Sequence, residues 1–240
     1  AAHELRTPLA GAIAQAQRLA SETREPTSRK RAADIEATLK RLTRLSERLM
    51  QLARAEGGRL RLDRTSDLRA AARIVVADMA RAAAPRQVAL TLPETPVTSD
   101  LDPDAFGILC RNLVENALRH GAQTGTVDVS LSADGTLTVA NDGPVVPAER
   151  LPFLAARFER AGASSDGSGL GLVIVAAIAD RVESRLVLTS PRSGQESGFE
   201  ATLKLPISSS DAPPERSGDL PRHSSPVANE QPTLGQERRR

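Results

Sequence analysis

The run His3-Glu4-Leu5-Arg6-Thr7-Pro8 sets an imidazole, a carboxylate and a hydroxyl within about one helical turn. On a helix over residues 1–20, His3 and Thr7 share a face at i,i+4 and Glu4 stands beside the ring. A carboxylate that accepts a hydrogen bond from one ring nitrogen fixes the tautomer and leaves the other lone pair free to attack. Pro8 has no N–H, and its ring presses on the Glu4 carbonyl, so a kink is expected just past the histidine. The same letters, taken alone, also describe a histidine on a helix surface. A second set lies on Asn112–His120. There Asn112, Asn116 and Arg119 share a helical face with Glu115 beside them. Amide oxygens suit Mg²⁺, which keeps several waters and also takes phosphate oxygens. Arg119 can reach a phosphate, and His120 offers a ring edge to a base. A polar solvent-facing stripe is the alternative. A third set is Gly167-Ser168-Gly169-Leu170-Gly171-Leu172. Residues without Cβ let the backbone approach a phosphate closely, and a helix starting there presents free N–H groups and the positive end of its dipole. A dinucleotide fingerprint would need a strand directly before it. Gly162–Asp166 reads as a mobile loop instead.

These residues need scaffolding, and the periodicity supplies two kinds. Residues 3–20 read as a helix with Leu5, Leu9, Ala12, Ala16 and Leu19 on one stripe. Ser21–Ser28, containing Pro26, breaks it. A second helix is expected from Arg29 to Ala55, with Ile35, Leu39, Leu42, Leu45, Leu49 and Leu52 forming a near-heptad seam that Gly57-Gly58 ends. Two long helices with one narrow apolar stripe each are best buried by a second copy, as a four-helix bundle. A monomeric hairpin packed on the next domain is the alternative. From Arg59 the pattern changes to an α+β sandwich. Strands are expected at Arg59–Asp63, Val88–Leu92, Thr126–Leu131, Thr136–Ala140, Leu186–Thr189 and Phe199–Leu205. Helices are expected at Leu68–Ala84, Asp102–His120 (capped by Asp100 or Asp102, with Pro103 in its first turn) and Leu170–Val182. Asp134-Gly135 makes a hairpin turn, and a loop-rich stretch of about 25 residues precedes the last helix. Residues 207–240 are rich in Ser, Pro, Glu and Arg and are expected to be disordered.

Composition removes several classes of function. The chain has 240 residues, 40% of them apolar, and 32 basic residues stand against 30 acidic ones for a net charge of +2. That near-balance leaves no electrostatic footprint for nucleic acid. Cys110 is the only cysteine, so no internal disulfide forms and a reducing compartment fits. No run of eighteen apolar residues and no signal peptide is present. The chain starts without Met, directly at the His3 helix, and reads as a fragment whose upstream part was removed.

The His3–Pro8 hexapeptide matches the phosphoacceptor box of the sensor histidine kinases of two-component systems. The 112–120 stretch is similar to that family's asparagine box, and 167–172 to its second glycine box. Asn141-Asp142-Gly143-Pro144-Val145-Val146-Pro147 resembles the first glycine box, with Asn141 at the place of the aspartate that accepts from the adenine amino group and Val145 at that of a second glycine. An amide oxygen can accept the same bond without charge assistance. Arg157-Phe158-Glu159-Arg160 resembles the phenylalanine box, in which Phe158 would pack under a lid and Arg160 approach the terminal phosphate. Gly198 resembles the last glycine of the pattern, while the common His-Gly-Gly is replaced by Val182-Glu183-Ser184. The resemblance covers residues 1–206.

It implies a dimerising phosphoacceptor hairpin over 1–57, then an ATP-binding domain of the Bergerat or GHKL type over 58–206. It implies a nucleotide site of Asn112, Asn116, Arg119, His120, Asn141, Gly143, Arg160, Gly167, Gly169, Leu170, Gly171 and Leu172, with ATP as substrate and Mg²⁺ held by Asn116 and Asn112. His3 would accept the γ-phosphoryl, Glu4 would orient and deprotonate it, and Thr7 would support the reverse dephosphorylation. The partners implied are a second copy and a response regulator, with the parent in the bacterial inner membrane and this part on its cytoplasmic side. A degenerate scaffold, a regulator phosphatase, and another ATPase of the same fold are the alternatives.

Overall fold

A computed structural model of the chain describes residues 2–83, 86–156 and 169–208, with side chains from Leu5 onward. Helix α1 (Ala2–Glu22) and helix α2 (Pro26–Gly57) form an antiparallel hairpin. Arg6 Nη2 donates to Glu47 at 3.3 Å and Gln17 Nε2 to Glu36 at 2.8 Å across it. Helix α1 continues through Pro8. Helix α2 begins three residues earlier than expected because Pro26 occupies its first turn, where a missing N–H costs nothing. It ends at Gly58, whose N–H donates to Arg54 O at 2.8 Å. A Cβ there would lie 2.6 Å from that same oxygen.

The rest is a layered α+β sandwich. Strand β1 (Arg61–Asp67) pairs antiparallel with β3 (Thr98–Leu101) in a small ribbon. Helix α3 (Leu68–Ala83) follows β1. The main sheet runs β2-β4-β5-β7-β6, where β2 is Gln87–Thr91, β4 Thr126–Leu131, β5 Thr136–Asn141, β6 Leu186–Thr189 and β7 Phe199–Lys204. Only β2 and β4 pair in parallel. Val127, Val129 and Leu131 of β4, Leu137 and Val139 of β5, and Phe199, Ala201 and Leu203 of β7 alternate onto one face. Against that face pack α3, α4 (Pro103–His120) and α5 (Gly171–Arg181), whose buried residues include Phe106, Leu109, Leu113, Ile174 and Ile178.

Four sequence expectations change here. Strand β1 runs four residues past Asp63, to Asp67. Strand β3 was not expected, because Thr98-Ser99-Asp100-Leu101 buries only Ser99 and Leu101. The loop-rich stretch holds a 3₁₀ turn over Ala148–Phe153. Ile207 and Ser208, at the start of the segment expected to be disordered, are also ordered. Ile207 packs over the Asp134-Gly135 turn, and Ser208 N donates to Thr98 O at 2.8 Å. The rest of 207–240 and the Arg157–Arg160 motif lie outside the described residues.

Candidate functional site

The site is built around α4. Asp102 caps this helix by accepting from Asp104 N at 3.0 Å, and Pro103 fills its first position. The far end stops at Gly121, where a Cβ would stand 2.6 Å from Ala117 O and 3.1 Å from Asp142 O. That close approach lets Ala122 N donate to Asp142 O at 2.7 Å. The end of β5 is thereby joined to the end of α4, and a Cβ on Gly143 would lie 3.2 Å from His120 O.

Asn141 sits in this junction, only 2% exposed. Its Nδ2 donates to Asp142 O at 3.0 Å. Its Oδ1 is buried with no hydrogen-bond partner among the described residues. A buried acceptor left unmade costs about 1–3 kcal/mol, so it marks a place where a donor belongs. The engaged Nδ2 fixes which end of the amide is left without a partner among the described residues. The residue thus presents an acceptor, as the aspartate of the resembling pattern would.

Asp142 is structural. Its Oδ2 accepts from Thr126 N and Oγ1, both at 3.1 Å. Arg192 Nη1 donates to its other oxygen at 3.1 Å, while Arg192 Nη2 reaches Asp128 at 2.8 Å. The Thr126 N–H, its hydroxyl and the Arg192 charge hold the Asp142 pKa below its ordinary value. Ser190 Oγ donates to Gly198 O at 2.7 Å and accepts from Val146 N at 2.9 Å. Gly198, at φ +88, donates to Gly143 O at 2.8 Å, and a Cβ there would fall 2.5 Å from Asn141 O. The β6–β7 loop therefore clamps the turn that carries Asn141.

Midway along α4, Asn112 is buried beside Gly171. Its Oδ1 accepts from Arg48 Nη1 at 2.7 Å, and its Nδ2 donates to Ile108 O at 2.8 Å and to Gln51 Oε1 at 3.2 Å. Arg48 also pairs with Glu115. Both ends of the Asn112 amide are engaged with the protein. Asn116 lies one turn further on, half-buried, and Arg119 and His120 lie at the exposed end. Partial withdrawal of the His120 ring from water, with the Arg119 charge beside it, lowers the His120 pKa. Gly169 takes φ +68, Leu170 and Leu172 are buried, and no side chain caps the start of α5. The structure thus brings Asn112, midway along α4, to Gly171, and His120, at the end of α4, to Gly143. His3 and Glu4 lie in the first turn of α1, their side chains outside the described residues; Thr7 follows one turn on. Arg160 and Gly167 also lie outside the described residues.

A family profile described as the His Kinase A (phospho-acceptor) domain matches residues 1–58. One described as histidine kinase-, DNA gyrase B-, and HSP90-like ATPase matches residues 101–209. The chain belongs to the sensor histidine kinases of two-component systems. It is 33% identical over 215 residues to sensor protein QseC of Escherichia coli, covering 85% of this chain and 45% of that protein. It is 33% identical over 230 residues to sensor protein kinase PmrB of Pseudomonas aeruginosa, covering 91% and 47%. The chain spans about half the length of the curated relatives it matches. Full-length ShkA, solved in complex with AMPPNP, shares the fold at a TM-score of 0.64, with 21% identity over 88% of this chain and 45% of that chain. Among the described residues, no helix of the chain is long and apolar enough to cross a membrane.

Sequence reasoning missed Arg48, Gln51, Ser190 and Arg192. None belongs to a motif, and each acts through an element far away in sequence. The unusual Asn at 141 and the acidic neighbour at 142 were the only signals that this turn needs outside support.

Proposed function

We propose that the chain phosphorylates its own His3 from ATP and hands the phosphoryl group to an aspartate of a separate response regulator. The observation that carries this reading is the partnerless buried Oδ1 of Asn141, which an adenine amino group would satisfy. The nucleotide site we propose takes Asn112, Asn116, Arg119 and His120 from α4, Gly143 from the turn after Asn141, and Gly169, Leu170, Gly171 and Leu172 from the start of α5; Arg160 and Gly167 belong to the same proposal and lie outside the described residues. Mg²⁺ would be held from the Asn116 end of this face, with Asn112 behind it, and would offset phosphate charge. ATP supplies the transferable phosphoryl group. Arg119 and the uncapped start of α5 favour its negative charge. Glu4 fixes the tautomer of His3 and takes its proton; the ring's other nitrogen attacks in line. Thr7 supports hydrolysis on the regulator.

The hairpin keeps Leu5, Leu19, Ile35, Leu42, Leu45 and Leu49 exposed even though its other side packs on α5. Each such side chain contributes roughly 1.5–3 kcal/mol when fully buried. A second copy covering this stripe as a four-helix bundle is the reading it supports. Membrane anchoring of a longer parent, with this part on the cytoplasmic side, belongs to the same proposal. The test is labelling with γ-labelled ATP and Mg²⁺. The expected product is stable to base and lost in acid. No label, or a label that survives acid, overturns the proposal.

A further inference from the structure

The last turns of α2 lie along α5, and an arginine pins each end of the contact. At the end of α5, Arg181 Nη2 donates to Gly58 O at 3.0 Å and its Nη1 to Glu56 O. At the start of α5, Arg48 from α2 is bound by Asn112 and Glu115 of α4. Its Nη1 lies 3.1 Å from where a Gly171 Cβ would stand, so the guanidinium crosses directly over that glycine. The Arg48 side chain is 14% exposed and that of Glu115 34%. A cation near the positive end of a helix dipole does not stabilise that helix. The contact is therefore not explained as support for α5; what it joins is the hairpin to the polar face of α4.

The height of this contact matters. The Arg6–Glu47 and Gln17–Glu36 pairs set a single antiparallel register for the hairpin. In that register His3 stands level with Met50, between Arg48 and Gln51. These are the two α2 residues that hold the Asn112 side chain.

We propose that Arg48 is a positioning residue for histidine phosphorylation, seating the nucleotide-binding layer on the hairpin at the height of the His3 turn. Asn112 is the socket of this seat, which leaves Asn116, one turn closer to the Asn141 junction, to face the metal. The inference rests on His3 being the acceptor.

The test uses the full chain. Arg48→Ala is expected to leave the dissociation constant of a fluorescent ATP analogue within about twofold, because Arg48 sits behind the site. At saturating ATP the rate of His3 labelling is expected to fall by about 10²-fold, the effect of misplacing reacting groups by an ångström. Arg48→Glu should do the same, and adding Glu115→Arg should restore most of the rate. Gln51→Ala, a milder change, should give a smaller loss at unchanged affinity. Undiminished labelling in Arg48→Ala overturns the inference, as does a loss of nucleotide affinity large enough to account for the slower rate. If the wild-type label is not on His3, the underlying proposal fails instead. If it is on His3 and insensitive to Arg48, only this inference fails.

Discussion

Asn141 carries one engaged and one unengaged end in a single buried amide. Among the described residues its Oδ1 is buried without a partner, while its Nδ2 is held by Asp142 O. Asn141→Leu keeps the volume and removes the orphan acceptor. The melting temperature of the ligand-free protein is expected to hold or rise, while ATP affinity falls about tenfold, the worth of one hydrogen bond of about 1.4 kcal/mol. Calorimetry with and without ATP checks both halves. A fall in melting temperature with affinity unchanged would contradict the assignment. Cys110 makes the opposite case, a reactive group made inert. Burial pushes its thiol up to about 12. A thiol reagent at pH 8 should leave the native protein unlabelled and modify it fully in denaturant, as mass spectrometry would show. At this scale the sequence singled out residues where the chemistry is local, in the run His3–Pro8 and at Asn141, whose amide the structure finds buried. It was silent on Arg48 and Arg192, whose partners lie 64 and 50 residues away along the chain.

Elements were legible wherever one periodicity dominates. The amphipathic α4, with Asp102 and Pro103 at its start, and the Asp134-Gly135 hairpin follow from capping, period and turn chemistry. Strand β3 did not, because three of its four residues are polar and its pairing partner is more than thirty residues back. The β6–β7 loop is a second case. Its role as a clamp comes from Arg192 meeting Asp128 and Asp142 across two other strands. This clamp has a pH signature. The folded Asp142 pKa lies below the unfolded value, so its stabilisation is present at neutral pH and is lost as pH falls through the folded pKa. Asp142→Asn should therefore melt below wild type at pH 7, and the gap should narrow once pH drops below about 4. A gap independent of pH would show that the ionised carboxylate is not what holds the turn.

For the whole molecule, the hairpin has two jobs on two faces. One face meets α5 and α4 through Arg48, Gln51, Leu52 and Ala55. The other, carrying Ile35, Leu42, Leu45 and Leu49, stays exposed. The α2 heptad pattern showed one seam and could not show the second contact, which needs the fold of residues far downstream. Paired Leu45→Glu and Leu49→Glu changes should convert a dimer to a monomer in sedimentation equilibrium while leaving ATP affinity within about twofold. A wild-type chain that stays monomeric at all concentrations would contradict the bundle. The central claim couples two parts of the molecule: a nucleotide held around Asn141 feeds His3. His3→Ala tests it most directly, with ATP affinity and covalent label measured on the same sample. The account predicts wild-type affinity and no label. A label that persists, or an affinity lost together with it, would contradict the account.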